Sequence, residues 1–203
     1  MHLQILRARF ALLAAVLFVA GCTGGGATFQ PSGPCTTDGQ RPGAYPALEA
    51  LVPTSLAGRK PDRLDSGRSC SDKALGTLVT HGVSELRYAG GLWQLGSNSG
   101  TTLVVFDSPT PLQASWLGEF YEASARAANK TENIQTKPVN VGSAAGYRLD
   151  TLNDDSYQTV VVWPHDGRVV AALVGSSVRE VTTRAGHDEA VKAALAAFGT
   201  PAG

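Results

Sequence analysis

The stretch YQTVVVWPHDGRVVAALVG, residues 157–175, decides the fold of this chain. Two valine-rich runs flank Pro164-His165-Asp166-Gly167, and apolar β-branched runs around such a sequence are typical of a β-hairpin. Successive residues in both runs are apolar, whereas a strand with one face in water would alternate. We therefore predict two neighbouring strands, 156–163 and 168–175, that are central in a sheet and covered on both faces.

Around this hairpin the sequence predicts four further strands and four helices. Apolar alternation and β-branched runs place strands at 85–95, 101–107, 132–141 and 144–152. In the last of these, Tyr147 and Leu149 alternate with Arg148 and Asp150, which indicates one buried face and one face in water. Apolar spacing of three to four residues, with capping signals, places helices at 45–51, 72–81, 110–129 and 187–198.

The order of these elements determines the predicted fold class. Runs of strands between helices favour an α+β fold, with a mainly antiparallel sheet flanked by helices. Residues 45–203 have the size of a single domain. Residues 53–69 show no periodicity and are predicted to form a loop.

Gly90-Gly91 interrupts the first predicted strand. The large residues occupy even positions before it, Leu86 and Tyr88, and odd positions after it, Trp93 and Leu95. One inserted residue changes the parity of a strand in this way, so the sequence predicts a β-bulge at the two glycines.

The first 21 residues have the pattern of a signal peptide. Arg7 and Arg9 precede an apolar run, 10–20, that is too short to cross a bilayer and typical of a secretory signal. The run ends in Val19-Ala20-Gly21-Cys22, which resembles the lipobox of bacterial lipoproteins. The resemblance implies cleavage after Gly21 and a diacylglycerol on the Cys22 thiol. The alternative is an ordinary secretory signal with a chance cysteine.

The lipobox implies a protein anchored by lipid to the cell membrane, on its extracytoplasmic face. Residues 22–44 are rich in Gly, Pro, Ser and Thr and are predicted to be a flexible tether. Once Cys22 is acylated, Cys35 and Cys70 remain. Because exported chains favour disulfides, we predict that these two cysteines are bridged; two free thiols are the alternative.

Charge and composition exclude some classes of partner. The chain has 17 basic and 17 acidic residues and no basic stripe, which argues against a nucleic-acid partner. Neither a Cys-x-x-Cys pair nor a histidine cluster is present, so we expect no metal site, and no motif indicates a cofactor. The expected partners are the membrane, through the lipid, and an unknown envelope protein or small ligand.

The sequence offers no catalytic residue. GSNSG, residues 96–100, has Asn98 at its centre and therefore lacks a nucleophile elbow. His81, His165 and His187 fall at a helix end, in a turn and at a helix start, where we expect surface positions. The spacing of Asp150, Asp154 and Asp155 fits no calcium-binding loop.

The candidate binding residues are Asp65, Arg68, Trp93, Arg148 and Asp150. Asp65 and Arg68 belong to LDSGRSCSD, residues 64–72, which is either a polar binding loop or a disulfide loop leading into a helix cap at Ser71. Trp93 adjoins the predicted bulge and is the tryptophan that we expect to be exposed. Arg148 and Asp150 lie on the wet face of their strand.

Several of these segments resemble the PsbP/Mog1/LpqN-like fold across residues 84–199. The resemblance lies in GYRLDTL (146–152), in the hairpin, in the closing helix that ends at Ala197-Phe198, and in TTLVVFDSPTPLQASWLGEFY (101–121). It implies an antiparallel sheet between helices. It also implies a partner-binding protein that is not an enzyme, since members are mostly of that kind and some are actinobacterial lipoproteins. No functional motif of that fold is present, so no residue role is carried over.

From these observations we expect a membrane-anchored binding or scaffolding module. Two alternatives stay open. One is an envelope hydrolase with an unrecognised site, and the other is a carrier of lipid or another small ligand, which an apolar cavity under the sheet would favour.

Overall fold

The computed structural model describes residues 29–199. Its eight strands are β1 (Gly39–Arg41), β2 (Arg63–Ser69), β3 (Leu86–Gln94), β4 (Gly100–Asp107), β5 (Thr131–Val141), β6 (Ala144–Asn153), β7 (Ser156–His165) and β8 (Arg168–Ser177). Its helices are α1 (Pro46–Glu49), α2 (Asp72–Leu75), α3 (Ala114–Ala127) and α4 (Arg184–Ala196), with a 3-10 helix at Gly76–His81.

The strands form one antiparallel sheet in the order β1-β2-β3-β4-β8-β7-β6-β5. Helix α3, α2 and the 3-10 helix cover one face, where Leu78, Leu117 and Phe120 belong to the first core. Helices α1 and α4 cover the other face, where Leu48 and Val191 belong to the second core. The single α+β domain expected from the sequence is confirmed.

The β7–β8 hairpin forms as predicted, in the middle of the sheet. Val160 and Val162 enter the first core, while Val161 and Trp163 enter the second. The two-residue turn has positive φ at both Asp166 (47°) and Gly167 (75°). Such a turn matches the twist of the strands that it joins, and the absence of a Cβ makes Gly167 suited to it.

The bulge predicted at Gly90-Gly91 is wrong. Strand β3 pairs with β2 and with β4 in unbroken register across both glycines. The parity changes because β3 is covered on both faces: Tyr88 packs in the first core and Trp93 in the second. The Trp93 ring lies over Gly91, where an added Cβ would come within 2.8 Å of it.

The loop predicted at 53–69 is also wrong for residues 63–69, which form β2. The strand has no hydrophobic signature because its buried residues are mostly polar and are satisfied by specific partners. Ser66, for example, accepts a hydrogen bond from the Tyr45 main-chain N–H at 2.7 Å and donates one to Glu49 at 2.8 Å. Sequence periodicity cannot identify a strand whose burial depends on such partners.

The folded unit begins earlier than residue 45. Residues 29–38, which we call the N-terminal strap, pack on the domain, and β1 extends the sheet beside β2. The buried Arg68 guanidinium, 2% exposed, donates to the main-chain carbonyl oxygens of Gln30 (2.9 Å), Gly33 (2.7 Å) and Pro34 (2.7 Å). The tether predicted over 22–44 is therefore wrong for its described part, and residues 1–28 lie outside the described residues.

The predicted Cys35–Cys70 disulfide is confirmed, with the two Cα atoms 5.4 Å apart. It joins the N-terminal strap to the end of β2. Next to it the Asp38 carboxylate accepts hydrogen bonds from the main-chain N–H groups of Cys70 (2.5 Å) and Ser71 (2.9 Å). Ser71 in turn caps α2, as predicted, by accepting from the Ala74 N–H at 3.2 Å.

We expect that replacing both Cys35 and Cys70 with serine lowers the free energy of unfolding by about 2–4 kcal/mol, because the bridge restricts the unfolded chain. Urea denaturation of the oxidised protein and of the double variant measures the difference. Non-reducing peptide mapping of the native protein is the control. Alkylation of both thiols without reductant would contradict the assignment.

Two predicted helix starts are displaced. Helix α3 begins at Ala114, four residues after the predicted start at 110, and Gln113 precedes it without a side-chain capping bond. Helix α4 begins at Arg184, where Thr183 accepts a hydrogen bond from the Gly186 N–H at 3.1 Å. This earlier start adds Arg184 to the helix that carries His187 and Asp188. Among residues 29–199, no helix is long and apolar enough to span a bilayer.

Candidate functional site

The candidate site lies where β5 and β6, at one edge of the sheet, meet the first turns of α4. Antiparallel pairing sets Lys137 opposite Arg148 and Gln135 opposite Asp150. Helix α4 adds Arg184 and Asp188, which lie four residues apart and therefore on one side of the helix. Together with one more polar residue these side chains line a cleft of about 360 Å³. We call it the charged cleft; its residues are Asn133, Gln135, Lys137, Arg148, Asp150, Arg184 and Asp188.

An irregularity of β5 forms one wall of the charged cleft. The register between β5 and β6 shifts between Glu132 and Gln135, and Asn133 within the shift has a φ of +52°. Asparagine tolerates this left-handed conformation better than most residues. A bulge of this kind turns side chains away from the regular alternation of the strand. The local irregularity therefore helps to place Asn133 and Gln135 at the cleft.

A network of ion pairs occupies the floor of the charged cleft. The Arg148 Nε atom lies 3.0 and 2.9 Å from the two carboxylate oxygens of Asp150, and its Nη2 donates to Asp188 at 2.5 Å. Asp150 also lies 3.5 Å from Lys137 Nζ and 3.7 Å from Arg184 Nη1. Three cations thus surround two carboxylates.

Asp150 is ionised in this network. Its burial favours the neutral acid, but hydrogen bonds from Arg148 and Thr159 and the nearby guanidinium charges outweigh that effect and lower the pKa of Asp150. The negative charge of Asp150 therefore persists at neutral pH and holds the three cations in place.

A chain of hydrogen bonds runs from Asp150 into the protein. The Thr159 hydroxyl donates to Asp150 at 2.6 Å, and Nε2 of His187 lies 2.9 Å from the same hydroxyl oxygen. Because the single Thr159 hydroxyl hydrogen goes to the carboxylate, Nε2 of His187 must donate to Thr159. Nδ1 of the neutral ring then accepts from the Ser176 hydroxyl, 2.9 Å away.

The Ser176–His187 contact resembles a nucleophile–base pair in its distances but is closed to substrate. His187 is 0% exposed and Ser176 is 2% exposed. Burial, together with the charge of Arg184, lowers the pKa of His187 to about 4. The ring is therefore neutral at pH 7, in keeping with its role as a link between Thr159 and Ser176.

The lowered pKa of His187 predicts acid sensitivity. His187 has its ordinary pKa of 6.5 in the unfolded chain and a pKa of about 4 in the folded chain. The unfolded chain therefore binds a proton at a higher pH than the folded chain does. The stability that the neutral ring contributes is thus present above pH 6.5 and is lost as the pH falls toward 4. The difference between the two pKa values corresponds to about 3 kcal/mol in the free energy of unfolding.

Urea denaturation at a series of pH values tests this expectation. The fall in the free energy of unfolding between pH 6.5 and pH 4 should shrink in His187→Asn, which cannot titrate there. A wild-type decline equal to that of the variant would contradict the assignment. The charged and titratable groups that face His187 are Arg148, Asp150, Arg184, Asp188 and Tyr157, and all five are retained in the variant.

The structure separates the five residues proposed as a binding surface. Arg148 and Asp150 lie in the charged cleft, but Asp65, Arg68 and Trp93 lie elsewhere and are buried. Asp65 pairs with Arg63, and Arg68 holds the N-terminal strap. Trp93 is 0% exposed in the second core and donates to the Arg59 carbonyl oxygen at 2.8 Å. The proposal that these three form a surface is therefore wrong, since each is occupied by partners inside the protein.

The histidines also differ from expectation. His81 lies at the surface as predicted, stacked on Trp116 with 4.6 Å between ring centroids and paired with Glu119. His187 does not, because α4 packs its ring against Thr159 of β7 and Ser176 of β8. If residues 184–188 are taken as helical, the sequence places Arg184 and Asp188 on one face. The contact of that face with β6 has no sequence signal. In the described part of the chain, no cluster of His, Cys, Asp or Glu is arranged to hold a metal ion.

Comparisons with known proteins give little further information. No protein-family model matches the chain, and no curated protein matches it. Among solved structures, the chain is similar to the solution structure of cyanobacterial PsbP (CyanoP) from Synechocystis sp. PCC 6803, with 8% sequence identity and a TM-score of 0.38. The match covers 86% of this chain and 96% of that one. Nothing about ligands or partners follows from a likeness at this level.

Proposed function

We propose that this protein is an extracytoplasmic lipoprotein, anchored through Cys22, whose folded domain binds a partner through the charged cleft. The observation that carries the proposal is the arrangement of three cations and two carboxylates on rigid elements around an open polar cleft. Side chains that are already held by one another lose little freedom when a partner binds, which favours recognition.

Binding is favoured over catalysis because the Ser–His contact is inaccessible. A nucleophile and its base must reach the reacting atom of a substrate. Ser176 and His187 are enclosed by β8, β7 and α4, and the hydrogen bonds of the ring are used within the protein. The network is explained as a structural support for Asp150. This explanation favours a binding module rather than an envelope hydrolase.

The anchor and the charged cleft would lie at opposite edges of the sheet. The disulfide and Arg68 hold the N-terminal strap at the β1–β2 edge, while the cleft lies at the β5–β6 edge. Seven strand spacings separate β1 from β5, which is roughly 34 Å. Seven Cα–Cα steps separate Cys22 from Phe29 and reach at most about 25 Å. A lipid on Cys22 would keep the β1 edge near the membrane and leave the cleft open to the envelope.

Mass spectrometry of the native N-terminus tests the anchor. The expected result is a mature chain that starts at Cys22 and carries acyl groups, and release of Cys22→Ser from the membrane fraction. An unmodified N-terminal peptide, or membrane retention of the serine variant, would refute this part of the proposal.

Site-specific crosslinking tests the cleft. A photo-reactive residue at the exposed Gln135 should form an adduct with a partner in intact cells, and one at the exposed Lys60, in a loop away from the cleft, should not. Arg184→Glu should abolish the adduct, whereas Lys73→Glu, at an exposed position of α2 on the other face of the sheet, should leave it. An adduct that is insensitive to Arg184→Glu would show that the cleft is not the contact surface.

A screen for hydrolysis completes the test. The purified protein should show no turnover of ester, peptide, phosphate or glycan substrates. Turnover that is lost in Ser176→Ala, with the fold intact, would favour the hydrolase over the binding module.

Small-ligand carriage is a second candidate because of a separate groove. A cavity of about 770 Å³ lies beside the start of α3, between mainly apolar walls that include Leu112, Pro138, Tyr147 and Val169. This size is typical of small-molecule sites. Native mass spectrometry of protein extracted from the envelope distinguishes the candidates, since a carrier would retain a bound small molecule.

A further inference from the structure

The charged cleft has more positive than negative charge. Lys137, Arg148 and Arg184 face Asp150 and Asp188, so the cations exceed the carboxylates by one. Asp150 is already satisfied by Arg148, Thr159 and the other two cations, and Asp188 by Arg148. Neither carboxylate is left to recruit a cation, so the site is suited to an anion.

The hydrogen-bonding capacity that remains belongs to Lys137 and Arg184. The Lys137 side chain is 58% exposed, and within residues 29–199 its ammonium has one charged partner, Asp150, at 3.5 Å. The Arg184 side chain is 35% exposed; its Nη2 donates to the Thr151 carbonyl oxygen at 3.3 Å, and its Nη1 lies 3.7 Å from Asp150, beyond hydrogen-bond distance. A guanidinium has five N–H donors, so Arg184 keeps donors for a ligand in the cleft.

The Arg184 side chain is also held in position. Its guanidinium lies over the Tyr157 ring, 4.8 Å from the centroid, which fixes the plane of the donor group. Arg148 differs because its donors are directed at Asp150 and Asp188. We therefore distinguish Lys137 and Arg184, which face a ligand, from Arg148, which positions the two carboxylates.

We infer that the charged cleft binds a carboxylate group, with Lys137 and Arg184 as the donors and the Asn133 and Gln135 amides at its side. This inference rests on the proposed function and names the ligand chemistry of the same site. A monoanion matches the single excess positive charge. A phosphate dianion would add a second negative charge beside Asp150 and Asp188 and is therefore disfavoured. The carboxylate belongs either to a small free acid or to the C-terminus of a peptide.

Titration of the intact mature protein in detergent micelles, followed by ¹H–¹⁵N NMR, tests the inference. The probes are acetate, N-acetyl-alanyl-alanine with a free carboxylate, the C-terminal amide of the same dipeptide, and inorganic phosphate. We expect both carboxylates to shift the Gln135, Lys137 and Arg184 signals with Kd values of about 1–10 mM, and the amide to shift none of them. Tighter binding of the dipeptide than of acetate would identify a peptide terminus; equal binding would identify a small acid.

Variants locate the donors. Arg184→Gln and Lys137→Gln should each weaken carboxylate binding about ten-fold, as expected for the loss of one charge-assisted hydrogen bond. Lys73→Gln, at an exposed position of α2 on the other face of the sheet, should leave Kd unchanged within about two-fold. Arg184→Lys keeps the charge and should retain most of the affinity, and the dispersion of each spectrum reports whether the variant is folded.

The inference is overturned if no carboxylate perturbs the cleft, if Arg184→Gln and Lys137→Gln bind as well as Lys73→Gln, or if phosphate binds more tightly than both carboxylates. These results are distinguishable from failure of the proposed function. If carboxylates fail but the crosslink at Gln135 still depends on Arg184, the cleft is a binding surface for another chemistry. If the crosslink fails as well, the binding module itself is refuted.

Discussion

Replacement of Asp150 with alanine is expected to lower the free energy of unfolding by about 3–5 kcal/mol at neutral pH. The carboxylate is almost fully buried and partly neutralises the charge of three cations. Its removal leaves the Arg148 guanidinium, which is only 15% exposed, with Asp188 as its remaining partner. The Thr159 hydroxyl also loses the acceptor that orients the His187 chain. An uncompensated buried charge and an unsatisfied hydroxyl together account for the size of the effect.

The matched control is Asp188→Ala. Asp188 pairs with the same arginine but is 35% exposed, so its loss should cost about 1 kcal/mol or less. Chemical denaturation of both variants, with the slope of the transition compared, gives the difference. If Asp150→Ala costs no more than Asp188→Ala, the buried network does not support the fold in the way described. The lowered pKa of Asp150 adds a pH dependence, because its contribution is lost as the pH falls below the ordinary 3.8.

Replacement of Trp93 with alanine is expected to lower the free energy of unfolding by about 3–5 kcal/mol. The ring is fully enclosed in the second core between Gly91 and the helices that cover this face. Its loss leaves a cavity that the close approach of the β3 backbone prevents from collapsing. The Arg59 carbonyl oxygen also loses the donor at 2.8 Å that ties the 53–62 loop to the sheet.

Trp116→Ala is the control for this experiment. Trp116 is half-buried at the surface of α3, where it stacks on His81. Because much of its area stays in water in the folded protein, its loss should cost about 1–2 kcal/mol. Guanidinium denaturation of the two variants measures both values. A larger effect for Trp116 than for Trp93 would contradict the placement of the second core.

The Trp93 result also shows where sequence reasoning failed. At Gly90-Gly91 the large residues change from even to odd positions. Two structures produce such a change: a β-bulge, and a strand buried on both faces. Distinguishing them requires the strands on either side, and β2 was hidden because Asp65, Ser66 and Arg68 are polar. The partners of Ser66 and Arg68, Glu49 and the N-terminal strap, lie elsewhere in the chain, and Asp65 pairs with Arg63 of the same strand.

The candidate site could be predicted only in part. Alternation along β6 correctly placed Arg148 and Asp150 on one face, because a strand turns successive side chains to opposite sides. The prediction that this face lies in water is wrong, since Asp150 is 6% exposed and Arg148 pairs with Asp188 of α4. Nothing local indicated Lys137, Arg184 or His187 as their neighbours. These residues meet through strand register and through the packing of α4, both of which are set by the whole sheet.

The sequence by itself determined the β7–β8 hairpin, helix α3, the disulfide pairing and the α+β class. In each case the cause is local or combinatorial: β-branched runs around Asp166-Gly167, apolar spacing along one helix, and two cysteines left for one bridge. The tertiary structure alone decided that Arg68 and Trp93 are interior, that the folded unit includes residues 29–44, and that a buried histidine supports a charged cleft. The physical reason is that the burial of a polar group is favourable only when its partners are in place, and those partners are distant in sequence.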